Sequence, residues 1–196
     1  MNARGRRTRA ALLSAARELV ERDGLAALTM AEVAERAGRT RRAVYLHFST
    51  RTELLLALFA HVAEVEDLAG SLAPVRAEPD PVRKLDEWAR HLARYAPRIR
   101  AMAHAVDAMA HTDPDAGARD YFARQGQRDD AAEIVAALHS SGLLAAALTQ
   151  DVATDLLYAL SALEVFERLT VDRGWSPDRY AQHLTTVLRA TLVSAR

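Results

Sequence analysis

The sequence predicts an all-α chain, and three observations predict it. Apolar residues recur at helical spacing along nearly the whole length, and alternating strand-like runs rich in Val, Ile and Thr are missing. Glycines and prolines then cut the pattern into about nine helices. With 196 residues, half of them apolar, the chain can bury a substantial core as one large domain or two small ones.

The first helix is expected over about 8–22, where Leu12, Ala16, Leu19 and Val20 share one face and Asp23-Gly24 stops it. Thr29-Met30-Ala31-Glu32 then fits a capping box, in which the hydroxyl satisfies an orphan amide and Glu32 reaches back. Gly38 is placed to take the left-handed conformation that ends this second helix. Thr40 caps a short third helix to about residue 47, so that helices two and three form a helix-turn-helix around Gly38.

A fourth helix is expected over about 51–72. Residues 73–81 hold three prolines and read as the clearest loop. Further helices are expected at about 82–96, 97–111, 115–140, 152–173 and 177–194, with Pro97, Pro114 and Pro177 at starts that tolerate proline. There is no internal repeat and no low-complexity tract.

Charge is divided unevenly. The formal net charge is zero, but residues 1–52 hold 11 basic and 5 acidic side chains, a net of +6, and the remainder carries −6. A basic head on an acidic body directs the head toward a polyanion such as DNA. The sequence contains no cysteine, which removes disulfides, Cys-ligated zinc and thiol catalysis together. Glycine-rich phosphate loops, a nucleophile elbow and paired His-Glu metal motifs are also missing, so neither an enzyme nor a cofactor is expected. No signal-peptide pattern opens the chain, and the longest apolar run, 54–60, is far below the roughly 20 residues of a membrane span. The expectation is a cytoplasmic protein with no membrane partner.

The third helix carries Arg41 and Arg42 at its N-terminal end, where paired guanidinium donors match the two acceptors of guanine in a major groove. The segment around it, LTMAEVAERAGRTRRAVYLHFSTRTELLLALF from Leu28 to Phe59, resembles the N-terminal signature of TetR-family regulators. Its marks are the capped helix, the glycine turn, a recognition helix ending in Tyr-x-His-Phe, then a basic residue and Glu-Leu-Leu. The resemblance covers about a quarter of the chain. It implies a three-helix DNA-binding domain over 1–50 and a helical ligand-binding and dimerisation domain over 51–196, with 51–72 as a connecting helix.

By that resemblance Ala43 and Leu46 face DNA, in reach of thymine methyl groups, while Val44 and Phe48 face the core. Thr29, Thr40, Tyr45, His47 and Arg51 correspond to positions that touch the phosphate backbone. Arg39 departs from the pattern, which has an apolar residue directly after the turn glycine. Its stem is then expected to cover the helix junction and its guanidinium to meet a phosphate. The basic stretch Arg4 to Arg9 either follows the DNA backbone, enters a minor groove or forms a plain tail.

Readers of this kind act as twofold dimers, because two recognition helices must meet successive major grooves. The apolar stripes Val152, Leu156, Leu160, Leu163 and Phe166, and Leu184, Val187 and Leu188, are wide enough to serve a homodimer interface. Between head and interface, Leu85, Trp88, Leu92, Met102, Val106, Met109 and Phe122 are candidates to line a cavity for a small apolar or amphipathic ligand. His104, Asp107 and His111 share a helical face but lack a further ligand, so they are read as ordinary polar residues and no metal is expected. The resemblance implies a repressor released from operator DNA by a small molecule. The alternative is an orphan DNA-binding regulator controlled by abundance or a protein partner.

Overall fold

A computed structural model describes residues 3–194, apart from the side chains of residues 116 and 118–122. Ten α-helices are present among the described residues: α1 (Ala3–Asp23), α2 (Met30–Arg36), α3 (Arg41–Tyr45), α4 (Arg51–Val65), α5 (Leu68–Ala77), α6 (Pro81–Asp107), α7 (Pro114–Ser140), α8 (Gln150–Leu160), α9 (Leu163–Thr170) and α10 (Pro177–Leu192). A 3-10 turn, Leu25–Ala27, follows α1. The extended pairing among these residues is one isolated bridge, between Leu144 and Val193.

The chain forms two compact units, each drawn from two stretches. Unit 1 is Met1–Asp67 with Ile99–Phe122, and unit 2 is Leu68–Arg98 with Ala123–Arg196. The boundary expected at residue 50 thus falls inside unit 1, because the inward face of α4 (Leu54, Leu55, Leu58, Phe59 and Val62) is part of that unit's core. Leu12, Ala16, Leu28, Val33, Val44 and Phe48 are wholly buried in the same core, and Met102 and Val106 of α6 complete it. Each such aliphatic or aromatic burial contributes about 1.5–3 kcal/mol.

Four boundaries differ from the expected ones. The helix expected over 51–72 is broken at Asp67, which takes a positive φ of 53°, a conformation that aspartate tolerates better than most residues. The expected loop at 73–81 is mostly helix, since α5 runs through Pro74 to Ala77. Pro97 starts nothing. It lies on the exposed side of α6, whose inward stripe of Leu85, Trp88, Leu92, Ala96, Met102 and Val106 stays buried on both sides of it. The helix expected over 152–173 divides at Ser161, whose hydroxyl donates to the Leu157 carbonyl at 2.6 Å and accepts the Trp88 indole N–H at 2.7 Å.

Unit 2 closes around Leu85, Trp88, Ile134, Leu138, Leu157 and Leu188. The candidate cavity residues therefore separate into two cores. Leu85, Trp88 and Leu92 belong to that of unit 2, Met102 and Val106 to that of unit 1, and Met109 is half-buried against the latter. The Phe122 side chain, like that of Tyr121, lies outside the described residues. The candidate interface residues divide as well. Phe166, Leu184 and Leu188 are buried in their own protomer, so their apolar area is already used. Leu156, Leu160 and Leu163 are half-buried, and Val152 and Val187 remain 48% and 45% exposed.

No helix of the described residues is long and apolar enough to cross a membrane. His104, Asp107 and His111 are exposed, with His111 beyond the end of α6, and no group of three metal-ligating side chains occurs among the described residues.

Candidate nucleic-acid interface

Two threonines start the helices of the interface. Thr29 Oγ1 accepts the Glu32 amide at 3.1 Å to begin α2, and Thr40 Oγ1 accepts the Ala43 amide at 3.2 Å to begin α3. Each bond satisfies one of the orphan amides of a first turn. The expected back-bond from Glu32 is replaced, because the Thr29 amide donates instead to Ala27 O at 2.9 Å.

The turn between the two helices is regular despite Arg39. Gly38 sits at φ 61°, where a Cβ would be strained. Its amide donates to Glu35 O at 3.0 Å, and the Arg39 amide reaches back to Ala34 O at 2.8 Å. This is the paired bonding of a Schellman motif. The turn needs only the Arg39 backbone, and the Arg39 side chain is exposed.

α3 is two-sided. Val44 and the following Phe48 are wholly buried, fixing the helix on the core of unit 1. Thr29, Arg39, Thr40, Arg41 and Arg42 are exposed, Ala43 and His47 are half-buried, and Tyr45 and Leu46 are 49% and 77% exposed. Leu46 thus leaves most of its apolar surface open on the same side as Arg41 and Arg42.

Arg51 braces unit 1 from the start of α4. Its Nε donates to Leu28 O at 3.0 Å and its Nη2 to Leu25 O at 3.3 Å, capping the 3-10 turn and the approach to α2. The same guanidinium pairs with Asp113 at 2.8 Å and Asp115 at 3.5 Å. Thr52 Oγ1 also lies 2.9 Å from Asp115 Oδ2. With Nε and Nη2 committed, Arg51 serves as a strut of unit 1, and its Nη1 lies 3.5 Å from Asp115. The sequence shows the arginine but not the carboxylates, which come from more than sixty positions away.

Two further features escape sequence inspection. Glu53 Oε2 accepts the Ser49 amide at 2.7 Å and the Ser49 hydroxyl at 2.5 Å, while Thr50 Oγ1 accepts the Glu53 amide at 3.1 Å. Those Ser49 bonds hold the Glu53 carboxyl below its ordinary range and fix the start of α4 just after α3. The spacing Ser49-x-x-x-Glu53 signals it only weakly. Arg9 of α1 lies with its guanidinium carbon 4.9 Å from the centre of the Phe48 ring, a cation–π contact across a distance in sequence that no local pattern reveals.

The segment that builds this interface matches a family model. Residues 12–58 match that of the bacterial regulatory proteins, tetR family. The HTH-type transcriptional regulator TtgR of Pseudomonas putida is 37% identical over 75 residues, 38% of this chain and 36% of TtgR. The match thus spans about a third of that relative's length. Likeness in fold extends further. NalD, the secondary repressor of the MexAB-OprM multidrug efflux pump in Pseudomonas aeruginosa, superposes with a TM-score of 0.71 at 25% identity, over 96% of each chain. A Saccharomonospora viridis protein in complex with choline, described as a transcriptional regulator, superposes with a TM-score of 0.75 at 18% identity, over 95% of this chain and 98% of that one.

Proposed function

We propose that the chain is a member of the TetR family of bacterial regulatory proteins and a sequence-specific DNA-binding transcriptional regulator, a repressor released from its operator by a small molecule. The observation that carries the DNA reading is the two-sided α3, anchored by Val44 and Phe48 and open at Arg41, Arg42, Tyr45 and Leu46. Arg41 and Arg42 read guanine edges, and Ala43 and Leu46 meet thymine methyl groups. Thr29, Arg39, Thr40, Tyr45 and His47 hold phosphates and set register. Arg51, expected in the same group, keeps Nη1 for a phosphate, its Nε and Nη2 being engaged within unit 1.

Two copies act together, because a recognition helix this short reads only one half-site. Val152 and Val187, with the half-buried Leu156, Leu160 and Leu163, offer the apolar area for that pairing. Release by a small apolar or amphipathic molecule draws support from the relatives, one a repressor of a multidrug pump and one bound to choline. Within unit 2, Leu85, Trp88 and Leu92 are the residues proposed to meet it.

Selection of bound duplexes from random DNA tests the central reading. The full chain should enrich a twofold site whose halves lie about 10 base pairs apart; failure to enrich any site would overturn it. The release step has its own test. A ligand that weakens operator binding a hundredfold must itself bind a hundredfold more weakly to the operator complex, about 2.7 kcal/mol in each direction. Equal ligand affinity with and without operator would leave a regulator controlled by other means.

A further inference from the structure

Unit 2 carries a small notch between α5, α6 and α7 that the functions proposed above leave unused. It measures about 20 Å³ and is lined by Leu72, Val75 and Arg76 of α5, Lys84 of α6, and Asp130, Glu133 and Ile134 of α7. That is room for one group the size of a water molecule or an ammonium. Leu72, Val75 and Ile134 are buried, so part of the lining is dry and apolar.

The charged part of the lining has both signs. α5 and α6 bring the two cations, and α7 brings the two carboxylates, three positions apart and hence on one helical face. Neither sign neutralises the other by contact: among the described residues, none of these four side chains makes a hydrogen bond or an ion pair within 4.0 Å. Lys84 and Asp130 are half-buried, so each has given up part of its hydration without a counter-charge in contact. Burial raises the Asp130 carboxyl above its ordinary range; the Arg76 guanidinium opposes that from a distance, and Glu133 and Asp129 add to it. Asp129 itself is engaged, its carboxylate accepting Gln125 Nε2 at 2.7 Å.

In a partly dehydrated place, each of these charges attracts an opposite one more strongly than it would in open water. A simple anion would satisfy Arg76 and Lys84 and leave the carboxylates bare, and a simple cation would do the reverse. A molecule that carries both charges close together satisfies both sets at once. We propose that the notch seats the head group of a small zwitterion of the α-amino-acid class, its ammonium against Asp130 and Glu133 and its carboxylate against Arg76 and Lys84. The proposal does not rest on the DNA reading or the release step, and its test needs no DNA.

Isothermal titration of the full chain with L-alanine, L-valine and L-leucine should find saturable binding of at least one. For the tightest of the three, the analogue without the amino group and the analogue without the carboxyl should each bind about tenfold more weakly or worse, the loss expected when a charge-assisted contact goes. Two variants then divide the site. Arg76→Gln should weaken the amino acid by about tenfold and leave the amine analogue unchanged. Asp130→Asn should weaken the amino acid by as much without weakening the acid analogue. Neither side chain holds a bond within the chain, and an unchanged melting temperature shows that each variant is folded. No saturable binding of any of the three amino acids overturns the proposal. So does an amine or acid analogue that binds as tightly as the amino acid, or wild-type affinity in both variants.

Discussion

Unit 1 keeps its polar chemistry on the outside, and unit 2 holds some of its own within. Every residue in the buried core of unit 1 is apolar, and its hydroxyls and guanidinium groups stand at helix ends or on the surface. The buried polar residues among the described ones, Ser71, His91, Thr154 and Ser161, all belong to unit 2. There Ser71 Oγ lies 2.8 Å from His91 Nδ1, and the His91 ring stacks on Tyr95 at 5.5 Å. Gln127 Nε2 donates to Ser161 O at 2.9 Å, and the Tyr180 hydroxyl is buried without a partner among the described residues. A surface built for reading needs its interior only as a support. An interior that carries a titratable hydrogen-bonding group responds to pH, since each group there must stay satisfied.

The largest effect that tests this contrast is on pH dependence. Burial, and after it the Arg94 guanidinium, pushes the His91 imidazole down to about 4, against an ordinary value of about 6.5 in the unfolded chain. Between those values the unfolded chain binds more protons. The stability gained from a neutral His91 is therefore complete above about pH 6.5 and is lost as pH falls toward 4, by about 3 kcal/mol. Urea unfolding of the wild type and of His91→Gln across that window should diverge by this amount, and parallel curves would mean that the interior of unit 2 is not proton-sensitive.

Next comes the division among arginines of unit 1. Arg51→Met should cost about 2 kcal/mol or more in urea unfolding, because charge-assisted bonds to Leu25 O and Leu28 O and the ion pair with Asp113 are lost together. Arg42→Ala should change stability by no more than about 0.5 kcal/mol while relaxing base preference in selection from random DNA. Similar losses of stability from both would erase the distinction between strut and reader. Thr40→Ala removes the α3 cap and should cost about 1 kcal/mol, seen as a lower melting temperature.

The smallest effect carries the opposite sign. Tyr180→Phe deletes a buried hydroxyl that has no partner among the described residues, so stability should hold or rise by up to about 1 kcal/mol. A clear loss would show that the hydroxyl is bonded in solution and would make the interior of unit 2 more fully satisfied than its side chains indicate.

What the sequence made legible was local. Thr29, Gly38, Thr40 and the alternation of Val44 and Phe48 with Arg41 and Arg42 act within a few residues, and caps and turns obey short-range rules. The features it concealed depend on partners far along the chain. Pro97 looks like a helix start because its own ring favours one, yet burial of Leu92 and Ala96 before it and Met102 after it carries the helix through. Ser161 interrupts α8 and α9 with no glycine or proline to announce it, and its bond to Trp88 spans 73 positions. The carboxylates that pair with Arg51, Asp113 and Asp115, are brought to it from more than sixty positions away. For the stripes of α8 and α10, periodicity identifies apolar faces but leaves unstated which part of each face the protomer keeps for itself.

Met102 and Val106 have a practical consequence for building chimeras. They fill the core of unit 1 from a stretch that follows the recognition helix by more than fifty residues, and Asp113 and Asp115 tie the same stretch to Arg51. The part proposed to read DNA is therefore not a cassette that can be cut at residue 50 or 67. Transplanting its specificity onto a relative requires carrying 99–115 with it, or else grafting only the exposed side chains of α3 and leaving the host's supports in place.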